Sequence, residues 1–97
     1  MKKVLVLDTK DNVVVALENL VINDVILVSG KKVIVRQNTD RGHKIAAVLI
    51  TKGEYIIKYG VTIGRAKDDI HPGEHVSVHN VEEVTEEIVA ERRKYLS

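Results

Sequence analysis

Short apolar runs separated by polar turn residues fill the chain as far as residue 80. The runs at 4–7, 13–17, 25–28, 33–35, 45–50, 55–59, 61–63 and 75–79 have the length and β-branched content of strands. Asp11-Asn12, Ser29-Gly30, Lys52-Gly53 and Pro72-Gly73 supply turns between them. Spacing this close predicts a mainly β, compact unit of the sandwich or barrel kind. After Asn80 the period becomes helical: Val81, Val84, Ile88 and Tyr95 form a stripe, Glu82, Glu83, Glu86 and Glu87 crowd its start, and Arg92, Arg93 and Lys94 crowd its end, as the macrodipole favours. Asn80 with Glu83 three positions on has the form of a capping box. The expected organisation is a β domain over 1–80 and a short C-terminal α-helix over 81–97. A helix that short needs the domain or a partner to pack against.

A turn motif recurs within the β region. Residues 20–26, 50–56 and 70–76 all read apolar, two variable, Gly or Asn, acid, variable, apolar. Gly and Asn tolerate a left-handed backbone, so each copy predicts a turn feeding a strand. The copies are unevenly spaced, which excludes a solenoid of fixed period and leaves one β unit that reuses a turn.

Composition narrows the function classes. At 97 residues the chain suits one domain, and its 44% hydrophobic content is too high for disorder. With no Cys, disulfide scaffolds, thiolate metal sites and thiol nucleophiles are excluded. Lys and Arg total 15 against 14 acids, a net charge of +1, which argues against nucleic acid as the partner. No run reaches membrane-spanning length, and Asp8, Lys10 and Asp11 end the apolar start too early for a signal peptide, so a cytoplasmic location without a membrane partner is expected.

Three clusters could carry chemistry. Arg41-Gly42-His43-Lys44 sets cations and an imidazole around a glycine that lets backbone N–H groups approach an anion such as a carboxylate; its bland reading is a solvated basic loop. Lys58-Tyr59-Gly60, followed by Gly64-Arg65, offers a Lys or Tyr proton donor, with Tyr59 sharing a strand face with Ile57; the alternative is a core-edge Tyr with a snorkelling Lys. In 73–80, strand alternation would turn Val76 and Val78 inward and project His75, Ser77 and His79 together, a row suited to metal binding, hydroxy-acid binding or acid–base work. That row could equally be the polar outer face of a strand, and the direction of nearby His71 is not assignable. No HExxH, P-loop, GxSxG or GxGxxG motif is present.

Taken in order, Arg41-Gly42-His43-Lys44-Ile45-Ala46, Ile56-Ile57-Lys58-Tyr59-Gly60, Ile63-Gly64-Arg65-Ala66, Asp69-Ile70, Gly73-Glu74-His75-Val76 and His79-Asn80 resemble the SAF-type N-terminal domain of the altronate dehydratase family. The resemblance runs from Asn12 to Asn80, and the 12–17 segment is similar to that family's opening strand. It implies a β-clip fold and a lyase that eliminates water, or sulfite in the sulfolactate branch, from a hydroxy-carboxylate. In this family the domain is fused to a larger one or forms a separate small subunit, and the length here points to the latter.

The resemblance implies catalytic roles for His43, His75 and His79, and substrate binding by Arg41, Gly42, Lys44, Lys58, Tyr59 and Asn80. It further implies a divalent metal, iron or manganese, held mainly by a large catalytic partner subunit, with His75 and His79 as candidate ligands from this chain. Ser77 departs from the pattern, since many members carry His there, and that weakens metal binding by this strand alone. The expected function is the small subunit of a sugar-acid hydro-lyase, inactive alone and able to form homo-oligomers. Sulfolactate sulfo-lyase and a non-catalytic β-clip ligand-binding module are the alternatives.

Overall fold

The computed structural model describes residues 1–83 except Leu7, and among them there are nine strands and no helix. They are β1 (Val4–Leu5), β2 (Val13–Ala16), β3 (Val25–Val28), β4 (Lys31–Ile34), β5 (Lys44–Ala46), β6 (Tyr55–Lys58), β7 (Val61–Ala66), β8 (His75–Val76) and β9 (Val81–Glu83). A four-stranded sheet in the order β1-β2-β5-β8 lies beside the β3-β4 hairpin and a three-stranded sheet in the order β6-β7-β9. Every strand pair is antiparallel. No helix of the described residues is long and apolar enough to cross a membrane.

Side-chain alternation in the central sheet feeds two cores. Val14 and Ala16 of β2, with Ile45 of β5 and the following Ala47, join Leu20, Ile26, Val28, Val33 and Val35. Val13 and Ala46 face the opposite way and join Ile50, Ile56, Ala66, Ile70 and Val76. Both cores are filled by aliphatic side chains, as the absence of Phe and Trp requires.

The repeated turn folds alike in its three copies. Asn23, Gly53 and Gly73 take φ of 77°, 90° and 89°. In each copy the acid's N–H donates to the carbonyl three residues back, at 3.0 Å for Asp24, 2.9 Å for Glu54 and 3.0 Å for Glu74. The acid's carboxylate then accepts that same residue's N–H, at 2.8, 3.1 and 3.0 Å. A fourth copy, hidden in the sequence, spans 39–45: Thr39 replaces the apolar residue, Gly42 has φ 88°, and His43 stands where the acid should be. The turns pair across the isolated bridges Leu20↔Thr39 and Ile50↔Ile70, so the four copies form two bridged pairs.

Three of the four turns also gain a side-chain acceptor from across the bridge. Asn38 accepts the Ile22 N–H, Asn19 the Arg41 N–H and Asp69 the Lys52 N–H. In the remaining turn, 70–76, the corresponding residue is Pro72, which has no N–H, and the residue in the acceptor position is Leu49, so no polar group is stranded.

Three expectations change. The 75–79 strand stops at Val76, and Ser77 to Asn80 form a turn instead. Val81–Glu83 is a strand pairing with β7, so this part of the expected 81–97 helix is extended, and residues 84–97 of that helix lie outside the described residues, as does Leu7 of the first run. Tyr59, with φ 57°, sits with Gly60 in the β6–β7 turn, away from the strand face of Ile57.

Asn12 ties the two sheets together. Its Nδ2 donates to the Tyr55 carbonyl and its Oδ1 accepts the Ile57 N–H, both at 2.8 Å, in the manner of an added strand residue on β6. Asn12→Ala leaves both partly buried backbone groups without these partners and is expected to cost about 2–4 kcal/mol. Urea unfolding checks this, and an unchanged midpoint contradicts it.

Candidate functional site

The β5–β8 pairing sets Ile45 against His75 and Lys44 against Val76, which joins clusters more than thirty residues apart in sequence. His43 Nδ1 lies 3.1 Å from His75 Nε2, with ring centroids 5.2 Å apart and planes 26° from parallel. The His79 ring follows at 5.6 Å from His75. Thus the ring of His43, unlike the carboxylates of the sister turns, does not close its own turn but meets another imidazole.

His75 is held at both ends of its peptide. Its N–H donates to Gln37 Oε1 and its carbonyl accepts Asn80 Nδ2, each at 2.8 Å. Asn80 Oδ1 also accepts the Ser77 N–H at 2.9 Å. This bond closes the turn that brings His79 back over His75, so the three-imidazole group arises without strand alternation; Val78, expected to face inward, is 76% exposed. Asn80 is buried beneath the site, holding its backbone.

Between the facing nitrogens of His43 and His75 one must donate and the other accept, so a single proton lies between them. Burial first, then the charges of His43, His79 and Lys44, push His75 below its ordinary 6.5, with Asp40 opposing. Between the folded and unfolded values the unfolded chain binds more protons, so stability rises with pH there and falls as pH drops through 6.5. Urea midpoints are expected to decline from neutrality to about pH 5, and His75→Gln should flatten the decline.

Beside the imidazoles, Lys44, Lys58, Ile63, Ser77, Val78 and Val81 line a cavity of about 360 Å³. A bulge in β7, where Ile56 pairs with Gly64 but Ile57 with Thr62, leaves Ile63 unpaired at its wall. Burial, then the Lys58 charge, lowers the Lys44 ammonium from its usual 10.5. Lys58 Nζ sits 4.8 Å from the centre of the Tyr59 ring, so Tyr59 steadies Lys58 from outside the cavity.

The structure therefore gathers His43, Lys44, Lys58, His75 and His79 around one junction. Arg41 is exposed on its turn, and the Gly42 N–H donates to the Ala16 carbonyl at 2.8 Å. His71 pairs with Glu74 at 2.9 Å in its own turn. Gln37 and Ile63 were not legible as site residues, since both reach the site through contacts distant in sequence. No three His, Asp or Glu side chains of the described residues come together to hold a metal ion, and the facing nitrogens of His43 and His75 occupy each other.

Fold and site together define a small antiparallel β domain with lysines and imidazoles gathered at one junction. The chain belongs to the altronate/galactarate dehydratase SAF domain family, whose profile matches residues 2–84. It is 47% identical over 70 residues to altronate dehydratase of Escherichia coli strain K12 and 39% identical over 80 residues to altronate dehydratase of Bacillus subtilis strain 168. These matches cover 72% and 82% of this chain but only 14% and 16% of those enzymes. It is also 52% identical over 40 residues to (2R)-sulfolactate sulfo-lyase subunit alpha of Chromohalobacter salexigens, covering 41% of this chain and 43% of that one. Its homologues are thus lyases.

Proposed function

We propose that the chain is the small subunit of a hydro-lyase that dehydrates a sugar acid of the altronate type, within a site completed by a large subunit. The observation that carries this reading is His43: it replaces the carboxylate that closes each sister turn, and its ring is held against His75 beside the Lys44–Lys58 cavity. Dehydration of a hydroxy acid needs a base for the proton next to the carboxylate, positive charge for the developing enediolate, and an acid for the departing hydroxide. Two imidazoles with one proton between their facing nitrogens suit proton transfer, and the lysines suit the carboxylate. The β-clip architecture is part of this reading, as is a divalent metal, iron or manganese, held mainly by the large subunit.

The likeness to a chain named a subunit supports a separate small subunit, and it also favours a second reading, elimination of sulfite from sulfolactate. The chain is to be co-expressed with a large lyase subunit encoded beside it, and 2-keto acid formation from altronate measured. Activity is expected only from the co-purified pair. Full activity of the large subunit alone, or of a pair carrying His43→Ala, overturns the proposal. Sulfite released from sulfolactate, with altronate inert, selects the second reading.

A further inference from the structure

The cavity beside the imidazoles has an unbalanced lining. Two ammonium groups, Lys44 and Lys58, share it with the Ser77 hydroxyl and the aliphatic side chains of Ile63, Val78 and Val81, and among the described residues no carboxylate lines it. Like charges brought together in a partly desolvated space repel, and Lys44 responds by titrating low. An anion entering the cavity relieves that repulsion and gains charge-assisted hydrogen bonds from both amines. At about 360 Å³ the cavity admits a small organic acid, and the aliphatic wall suits its carbon chain. Lys44 also acts electrostatically on His75, so the cavity adjoins the imidazole group.

We propose that the Lys44–Lys58 cavity is the seat for the acid end of the ligand, a carboxylate or sulfonate, and that this chain binds such an anion by itself. The hydroxyl-bearing carbon next to the acid end then lies on the side where Lys44 meets His75, within reach of the His43–His75 pair. The identity of the ligand as a hydroxy acid rests on the hydro-lyase reading; the anion seat does not.

The test is NMR titration of the ¹⁵N-labelled chain with propionate, D-glycerate and ethanesulfonate at constant ionic strength, with glycerol as the neutral control. Saturable shifts are expected at the amides of Lys44, Ser77, Val78 and Val81 with the acids and not with glycerol. The ring signals of His43 and His75 should move further with glycerate than with propionate. Lys44→Met and Lys58→Met should each weaken binding at least tenfold with amide dispersion retained, Lys58→Arg should keep most of it, and Lys52→Met, on an exposed turn, should leave it unchanged. The tighter of propionate and ethanesulfonate identifies the acid end. Absence of saturable shifts, glycerol acting like the acids, or affinity unchanged in both Met variants overturns the proposal. Anion binding by the chain alone, beside a lyase pair indifferent to His43→Ala, keeps the seat and removes the hydro-lyase reading. A His43-dependent lyase whose small subunit binds no anion does the reverse.

Discussion

Gly73→Ala is expected to cost about 3–5 kcal/mol, a large part of the stability of a small domain. Two penalties coincide at this turn. The backbone has φ +89°, which L side chains resist, and an added Cβ would stand 2.0 Å from the Ile34 carbonyl oxygen and 3.0 Å from its carbon. Neither neighbour is the end of a flexible side chain. Moving them would strain the bond from the Arg36 N–H to the Gly73 carbonyl, now 2.8 Å, and the bond from the Gly73 N–H to the Ala46 carbonyl, now 2.9 Å. Gly53→Ala provides the control: its φ is +90°, but an added Cβ meets nothing within 4 Å, so only the backbone strain of about 1–2 kcal/mol remains. Chemical unfolding of both variants separates the terms, and equal losses would show that the approach to Ile34 is harmless.

His43→Glu is expected to make the chain more stable and the enzyme much slower. A glutamate at 43 occupies the acid position of the turn and can accept the Asp40 N–H, as Glu54 and Glu74 accept the corresponding groups of Thr51 and His71. One such bond contributes about 0.5–1.5 kcal/mol, a gain of several degrees in Tm at this size. The same change removes the imidazole facing His75 and places a negative charge beside a cavity built to receive one. If the pair transfers the proton, the loss in turnover is about 10²–10⁴-fold. His43→Ala should lose the activity without gaining the stability. A His43→Glu chain no more stable than wild type contradicts the turn comparison; one that keeps full activity contradicts the catalytic role. Opposite signs in the two measurements mark a position held away from its stability optimum for function.

The strands and the three acid-bearing turns were legible because each is a local pattern. Period-two runs of Val and Ile, broken by Gly or Asn before an acid, need no tertiary information. The errors came where distant contacts decide. Val81 with Val84 has helical spacing, yet Val81–Glu83 extends along β7. Gly64 makes this possible: a Cβ there would lie 2.4 Å from both the Glu82 carbonyl oxygen and Val81 Cγ1. The run at 75–79 alternates like a strand, but the side-chain bonds of Asn80 fold it into a turn. The 39–45 turn lacks the sequence pattern because Thr39 and His43 break the apolar and acid positions, and it is the copy that bears the site. The residue types of the site were visible in the sequence; their meeting depends on the β5–β8 register.

The alternation of β2 and β5 between the two cores has a consequence for cooperativity. A domain with two cores invites unfolding in halves, yet Val13 and Val14, or Ile45 and Ala46, cannot leave one core without leaving the other. The halves therefore open together, and the slowest-exchanging amides of both should report one global free energy. An anion seated beside Lys44 would then protect the remote hairpin of β3 and β4 as fully as the strands that touch it.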